Sequence, residues 1–220
     1  MSKKKILQIP WIDQTRAWPT GCESVSAVML LRHLGFDISV DDFIRNYLPC
    51  RPFSEKEGVL TGPDPAVAFA GSPYDPDAMG CYAAVIVKAL TSFFQDASSG
   101  QEPVWQAEDL TGVPMEELCS RYLDRGLPVI FWACTKMKEP VAGPSWMLED
   151  GRTWFTWISN EHCMLLVGYD DQNYYFNDPQ AGHGCIAYPK GLTEERHRDQ
   201  YQMAAAAFRK EYQQHAHYCQ

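Results

Sequence analysis

The chain has 220 residues, a formal net charge of −9 and 45% hydrophobic residues, among them 7 Trp, 11 Tyr and 10 Phe. Such a chain folds around a sizeable core, and its length suits one domain or two closely packed halves. The acidic balance, with cations scattered apart from Lys3-Lys4-Lys5, excludes a nucleic-acid backbone as the main partner, and the aromatic residues read as core.

From the N-terminus, Ile6 to Ile12 is expected to be an extended entry. It is too short, and too broken by Gln8 and Pro10, for a signal peptide, and no segment approaches a membrane-spanning helix. A cytoplasmic protein with no membrane partner is therefore expected. Cys22 to Leu34 has the spacing of a helix apolar on most sides, with Gly35 placed to stop it. Thr20 and Glu23 fit a capping box at its start. Cys22 then lies in the first turn, among unpaired amides at the positive end of the helix dipole, where a thiol ionises more easily.

Ser39 to Leu48 reads as a second helix ended by Pro49. Residues 50–80 carry five prolines and four glycines without periodicity, and a loop of that length is often functional. Its aromatics Phe53, Phe69 and Tyr74 are expected to line a pocket beside the site. Gly80 to Phe94 and Pro114 to Arg125 return to helical spacing. The period then changes. Pro128 to Cys134, Thr153 to Ser159, His162 to Tyr169, Asn173 to Asn177 and Gly184 to Tyr188 read as strands, and Gly168 to Asn173 supplies a hairpin. Glu194 to His215 is helical by the spacing of Tyr201, Ala205, Phe208 and Tyr212. Helices first and strands afterwards predict an α+β fold, one domain over 1–220, with a helical half packed on an antiparallel sheet.

Cysteine catalysis needs a thiolate, a base for its proton, a group that orients the base, and oxyanion donors. Cys22 supplies the first and His162 the second. The orienting group depends on strand register. A hairpin centred on Asp170 sets Asp178 on the face of His162, whereas a tight turn at Asp171-Gln172 sets Asn177 there. The eight cysteines (22, 50, 81, 119, 134, 163, 185 and 219) show no paired spacing and are expected to be reduced. No cofactor or metal is expected, because the competing zinc set of His162, Cys163, His183 and Cys185 matches no structural zinc spacing.

Gln14, Trp18-Pro19-Thr20-Gly21-Cys22-Glu23, the run from Glu161 to Asp171 and Asn177-Asp178-Pro179 resemble the C39-like peptidases of the papain-like superfamily. Phe69 to Pro73, Gly80-Cys81-Tyr82 and Gly126 to Val129 also resemble recurring segments of that family, so the resemblance runs from about residue 6 to 180. It implies a papain-like fold, Cys22 as nucleophile, His162 as general base, Asp178 as orienting acid and Gln14 as oxyanion donor. In the bacteriocin-leader peptidases of the group the glutamine lies closer to the cysteine. Here eight positions separate Gln14 from Cys22, and Gln8 is the alternative donor. The resemblance implies a thiol hydrolase acting on a peptide or other amide through an acyl-thioester. An acyl or aminoacyl transferase or deamidase on the same residues, and a binding protein without turnover, are the alternatives.

Overall fold

The computed structural model describes residues 4–180, 182 and 184–210. His183, Cys219 and the end of the expected terminal helix lie outside the described residues. In chain order the first elements are β1 (Lys5–Ile6), α1 (Cys22–His33), α2 (Val40–Tyr47), β2 (Cys50–Arg51), β3 (Ser54–Lys56), β4 (Val59–Gly62), β5 (Phe69–Ala70) and α3 (Ala83–Ala97). Then come β6 (Trp105–Asp109), α4 (Met115–Arg121), β7 (Val129–Cys134), β8 (Ala142–Leu148), β9 (Trp154–Ile158) and β10 (Glu161–Tyr169). The last are β11 (Asn173–Asn177), β12 (Cys185–Pro189), α5 (Lys190–Asp199) and β13 (Ala204–Arg209).

The main sheet runs β12-β11-β10-β7-β13-β6, antiparallel throughout, with β1 added on β10. β7 is buried at all six positions because both of its faces are covered. Ile130 and Trp132, with Cys163, Leu165 and Val167 of β10, pack on α1 to α3. The alternate residues, Phe131, Met164, Leu166 and Phe176, form a second core with α4, and α5 adds His197, whose ring stacks on Phe131 at 4.0 Å between centroids. On α1, Val25, Val28, Met29 and Leu31 are wholly buried, each contributing about 1.5–3 kcal/mol.

The expected helical half and antiparallel sheet are therefore present, with two departures. Ala204 to Arg209 is a strand between β7 and β6, where a helix is expected. The run of four alanines is helix-favouring by propensity. Its small side chains instead fill the middle of a sheet covered on both faces, and tertiary packing overrides propensity. Residues 50–80 are also not one structureless loop. They hold four short strands, two of which join a small sheet in the order β3-β4-β8-β9. Its centre is Trp146, whose indole donates to Pro63 O at 3.0 Å and whose ring lies 5.1 Å from Phe53. β9 runs directly into β10, so this small sheet stands beside the start of the strand that carries His162.

Candidate active site

α1 begins at Cys22, with Gly21 as N-cap and no side chain capping it. The expected capping box does not form. The Thr20 hydroxyl donates to the carbonyls of Ser72 (3.3 Å) and Asp75 (2.9 Å), which ties the helix entry to the Pro-rich segment. Glu23 turns inward, and its Oε1 accepts the Cys81 amide at 2.6 Å. A local pairing has been replaced by a long-range one.

His162 and Asp178 are brought together by the β10–β11 hairpin. The turn sets Tyr169 opposite Tyr174 and Gly168 opposite Tyr175. Continued without interruption, that register would put Asn177 on the His162 face. A bulge between Leu166 and Gly168 shifts the pairing to Leu166 with Phe176 and Leu165 with Asn177. Asp178 thus takes the His162 face. Its Oδ1 accepts from His162 Nε2 at 2.7 Å and from the Gln180 amide at 2.8 Å. Asn177 faces α1, donating to Ile9 O at 2.9 Å beside Met29 Sδ. The nitrogen that meets the acid is Nε2. His162 is 1% exposed, and its Nδ1 has no hydrogen-bond partner.

Gly168 is required at the bulge because β1 crosses it. A Cβ there would stand 2.3 Å from Lys5 O and 2.8 Å from the Ile6 Cα. Gly80 has the same function on the other side of the site, where a Cβ would meet Glu23 Oε1 at 2.6 Å and Glu161 Oε2 at 3.3 Å.

The electrostatics differ from the expected activated thiol. Burial pushes the Cys22 thiol well up from its ordinary value, and the charges of Glu23 and Glu161 push it further. The Cys163 amide directed at the sulfur opposes this only in part. In the resting geometry the thiol donates to Glu23 Oε2 at 3.3 Å. Burial also raises both carboxyls, Glu23 to about 7 and Glu161 well above the usual carboxylate range, the latter aided by Glu23 itself. Placement at a helix N-terminus favours a thiolate, but here burial and two neighbouring acids outweigh it.

Cys22 and His162 line one cleft of about 370 Å³, together with Gln14, Thr20, Glu161 and Gln180. Gln14 is 1% exposed, donates through Nε2 to Pro19 O at 3.0 Å, and leaves Oε1 without a partner. Gln8, the alternative donor, is exposed. The Pro-rich segment does reach the cleft, through residues 76–79. Its three aromatics are engaged elsewhere: Phe53 against Trp146, Phe69 in the core, and Tyr74 through its hydroxyl to Asp41 at 2.7 Å. A second groove of about 600 Å³ adjoins this one across Thr135 and Gln180 and is lined by Asp178 and Lys136.

Residues 6–217 match the model of the family described as Peptidase_C39 like. The chain belongs to this family. A relative is the uncharacterized protein YvpB of Bacillus subtilis strain 168, 29% identical over 161 residues, a match covering 72% of this chain and 58% of that one. The chain thus spans less than two thirds of the length of the curated relative it matches. In structure it is similar to a candidate C39-like peptidase from Bacillus anthracis, with TM-score 0.80 at 23% identity over 94% of this chain and 98% of that one. A more distant likeness, with TM-score 0.45 and 13% identity over 93% and 96% of the two chains, is to the peptidase domain of Streptococcus ComA. Family and fold are those of the C39-like peptidases. The family match also extends past residue 180, where the resemblance read from sequence ended, and takes in α5 and β13.

In this C39-like chain, Cys22, Glu23 and Glu161 are the group among the described residues whose ligand atoms lie near enough to hold a metal ion, within 4.8 Å of one another. Cys163 and His162 occupy opposite faces of β10, which separates two members of the zinc set weighed from sequence. Sequence reasoning missed the pairing of Glu23 with Glu161. Each is the immediate chain neighbour of a candidate catalytic residue, and that adjacency was the available signal. Among the described residues, no helix is long and apolar enough to cross a membrane.

Proposed function

We propose that this chain hydrolyses peptide or related amide bonds through an acyl-thioester on Cys22. The observation that carries the reading is the 2.7 Å bond from His162 Nε2 to Asp178, which leaves Nδ1 unpartnered in the cleft that the Cys22 thiol lines. With the Nε2 proton held by Asp178, Nδ1 has the lone pair needed to take the thiol proton. The sulfur attacks the substrate carbonyl, and the imidazolium then returns the proton to the departing nitrogen as the C–N bond breaks. Water, deprotonated by the same nitrogen, cleaves the thioester and regenerates the thiol.

The negative oxygen of the tetrahedral intermediate needs donors aimed at it. Gln14 Nε2 spends one hydrogen on Pro19 O and has a second to give. The main-chain amide of Cys22, in the first turn of α1, is another orphan donor.

The test is to incubate the chain with a library of peptides, quench in acid and search the Cys22-containing fragment for an added acyl mass. Amide cleavage that disappears in Cys22→Ala, together with an acyl group on Cys22, supports the reading. Cleavage that survives in Cys22→Ala would remove it. A competing amine added to the same reaction separates hydrolysis from transfer, since a transferase yields the new amide in place of the acid.

A further inference from the structure

Glu23 is buried beside the candidate nucleophile and takes no part in the scheme above. Its two oxygens are already committed. Oε1 accepts the Cys81 amide at 2.6 Å, and Oε2 stands 3.3 Å from the Cys22 sulfur. The carboxyl of Glu161 closes on the same point, with the sulfur and an oxygen of each carboxyl within 4.8 Å of one another, in space that Gly80 leaves free. Two carboxylates and a thiolate cannot all be charged at such separations in a buried site.

We propose that Glu23 is a positioning residue that works as a protonated carboxyl group, donating its O–H to the Cys22 thiolate in the reactive form and holding the sulfur as a neutral thiol once that proton is lost. The inference rests on the reading of Cys22 as nucleophile. In the reactive form the Sγ–H bond breaks and an Nδ1–H bond forms on His162, whose Nε2–H stays with Asp178. The Glu23 O–H bond remains intact and points at the sulfur. When Glu23 is ionised, the one proton between sulfur and oxygen belongs to sulfur, and forming the thiolate would set like charges in contact.

The groups facing Glu23 agree with this. They are Cys22 on its own helix, Glu161, His162 and Cys163 on β10, Cys81 ahead of α3, and Cys50 on β2. Burial and Glu23 push all four thiols upward, Glu161 adds to this at Cys22, Cys81 and Cys163, and burial with Glu23 raises the Glu161 carboxyl. Hydrogen bonds from the Cys81 amide, from its own amide and from the Cys22 thiol oppose the rise of Glu23, and the charge of His162 adds to them.

The test uses Glu23→Gln in the full chain. The amide offers its oxygen to the Cys81 N–H and an N–H to the sulfur, a fixed copy of the protonated acid. The rate of iodoacetamide labelling is mapped by mass at Cys22 across pH, with exposed Cys185 in the same tube as the reference thiol away from Glu23. Wild-type Cys22 is expected to slow by about tenfold between about pH 6 and about pH 8 while Cys185 speeds up, the size of a one-unit change in thiol acidity. In Glu23→Gln the Cys22 rate should stay level over that range. If the folded variant is slow at every pH, Glu23 is a base and the proposal is overturned. Superimposed wild-type and variant profiles overturn it as well, by leaving Glu23 only the Cys81 amide to hold. Should the variant not fold, a wild-type rate at Cys22 that rises with pH like that of Cys185 overturns it alone. Retention of amide cleavage by Cys22→Ala would defeat the nucleophile reading separately, because the labelling profile requires no turnover.

Discussion

His162 and Asp178 meet at 2.7 Å because Val167 is an extra residue in β10, which exchanges the faces of Asn177 and Asp178. Two adjacent polar residues are thereby given different work. Asp178 holds the imidazole, and Asn177 donates to Ile9 O inside the core.

The two substitutions should therefore separate. Asp178→Ala is expected to lower kcat by about 10²–10⁴-fold, the range of a misdirected acid–base group. Asn177→Ala should cost about 1–3 kcal/mol of stability by leaving a buried carbonyl unpaired, with a much smaller effect on kcat. Steady-state kinetics and thermal melts of both variants check this, and equal losses of kcat would contradict the division.

Gly168→Ala should loosen β1. The new methyl would overlap the main chain of Lys5 and Ile6, and backbone cannot swing aside as a side chain can. A loss of about 1–3 kcal/mol is expected. Hydrogen exchange should quicken at the Leu7 amide, which bonds Val167 O at 2.8 Å. An unchanged melting temperature would mean that the strand had shifted without cost.

Acid sensitivity should trace in part to His197. Burial lowers it from 6.5 to about 4, although its bond to Trp132 O opposes the shift. The unfolded histidine takes up a proton below about 6.5 and the folded one only near 4, so the contribution is complete above the first value and is lost as pH falls to the second. The loss is about 3 kcal/mol. Urea unfolding of His197→Gln against pH should show a flatter acid limb than wild type, and parallel limbs would assign the sensitivity elsewhere.

Met79, a wall of the cleft, should influence substrate choice. Met79→Ala is expected to change the ranking of kcat/KM among peptides by roughly 10-fold, the worth of one apolar pocket contact. Tyr74→Phe, which alters a hydroxyl bonded to Asp41, should leave that ranking as it is. The opposite pattern would move the specificity pocket toward α2.

Much of this was legible in the sequence where signals are local. The spacing of α1 to α4, the β-branched and aromatic runs of β7 and β9 to β12, and the adjacency of Cys22 and His162 to apolar runs all mark the elements on which the candidate site rests. What was hidden depends on distant partners. Glu23 reads as a cap because its neighbour Thr20 is visible in sequence, whereas the Cys81 amide that it meets is 58 residues away. The bulge at Val167 has one local signal, Gly168, which reads equally well as the start of the hairpin, yet it decides between Asp178 and Asn177. Ala204 to Arg209 looks helical until the strands on either side of it are known.

The place of β13 bears on how the molecule tolerates shortening. A chain cut after Asp178 would carry every residue proposed for the chemistry, yet β7 and β6 would face each other across a missing strand. β7 is buried at every position, so its bared edge would be a long apolar template for pairing with other copies. Cys22, His162 and Asp178 would then be present in a protein that clumps before it can act.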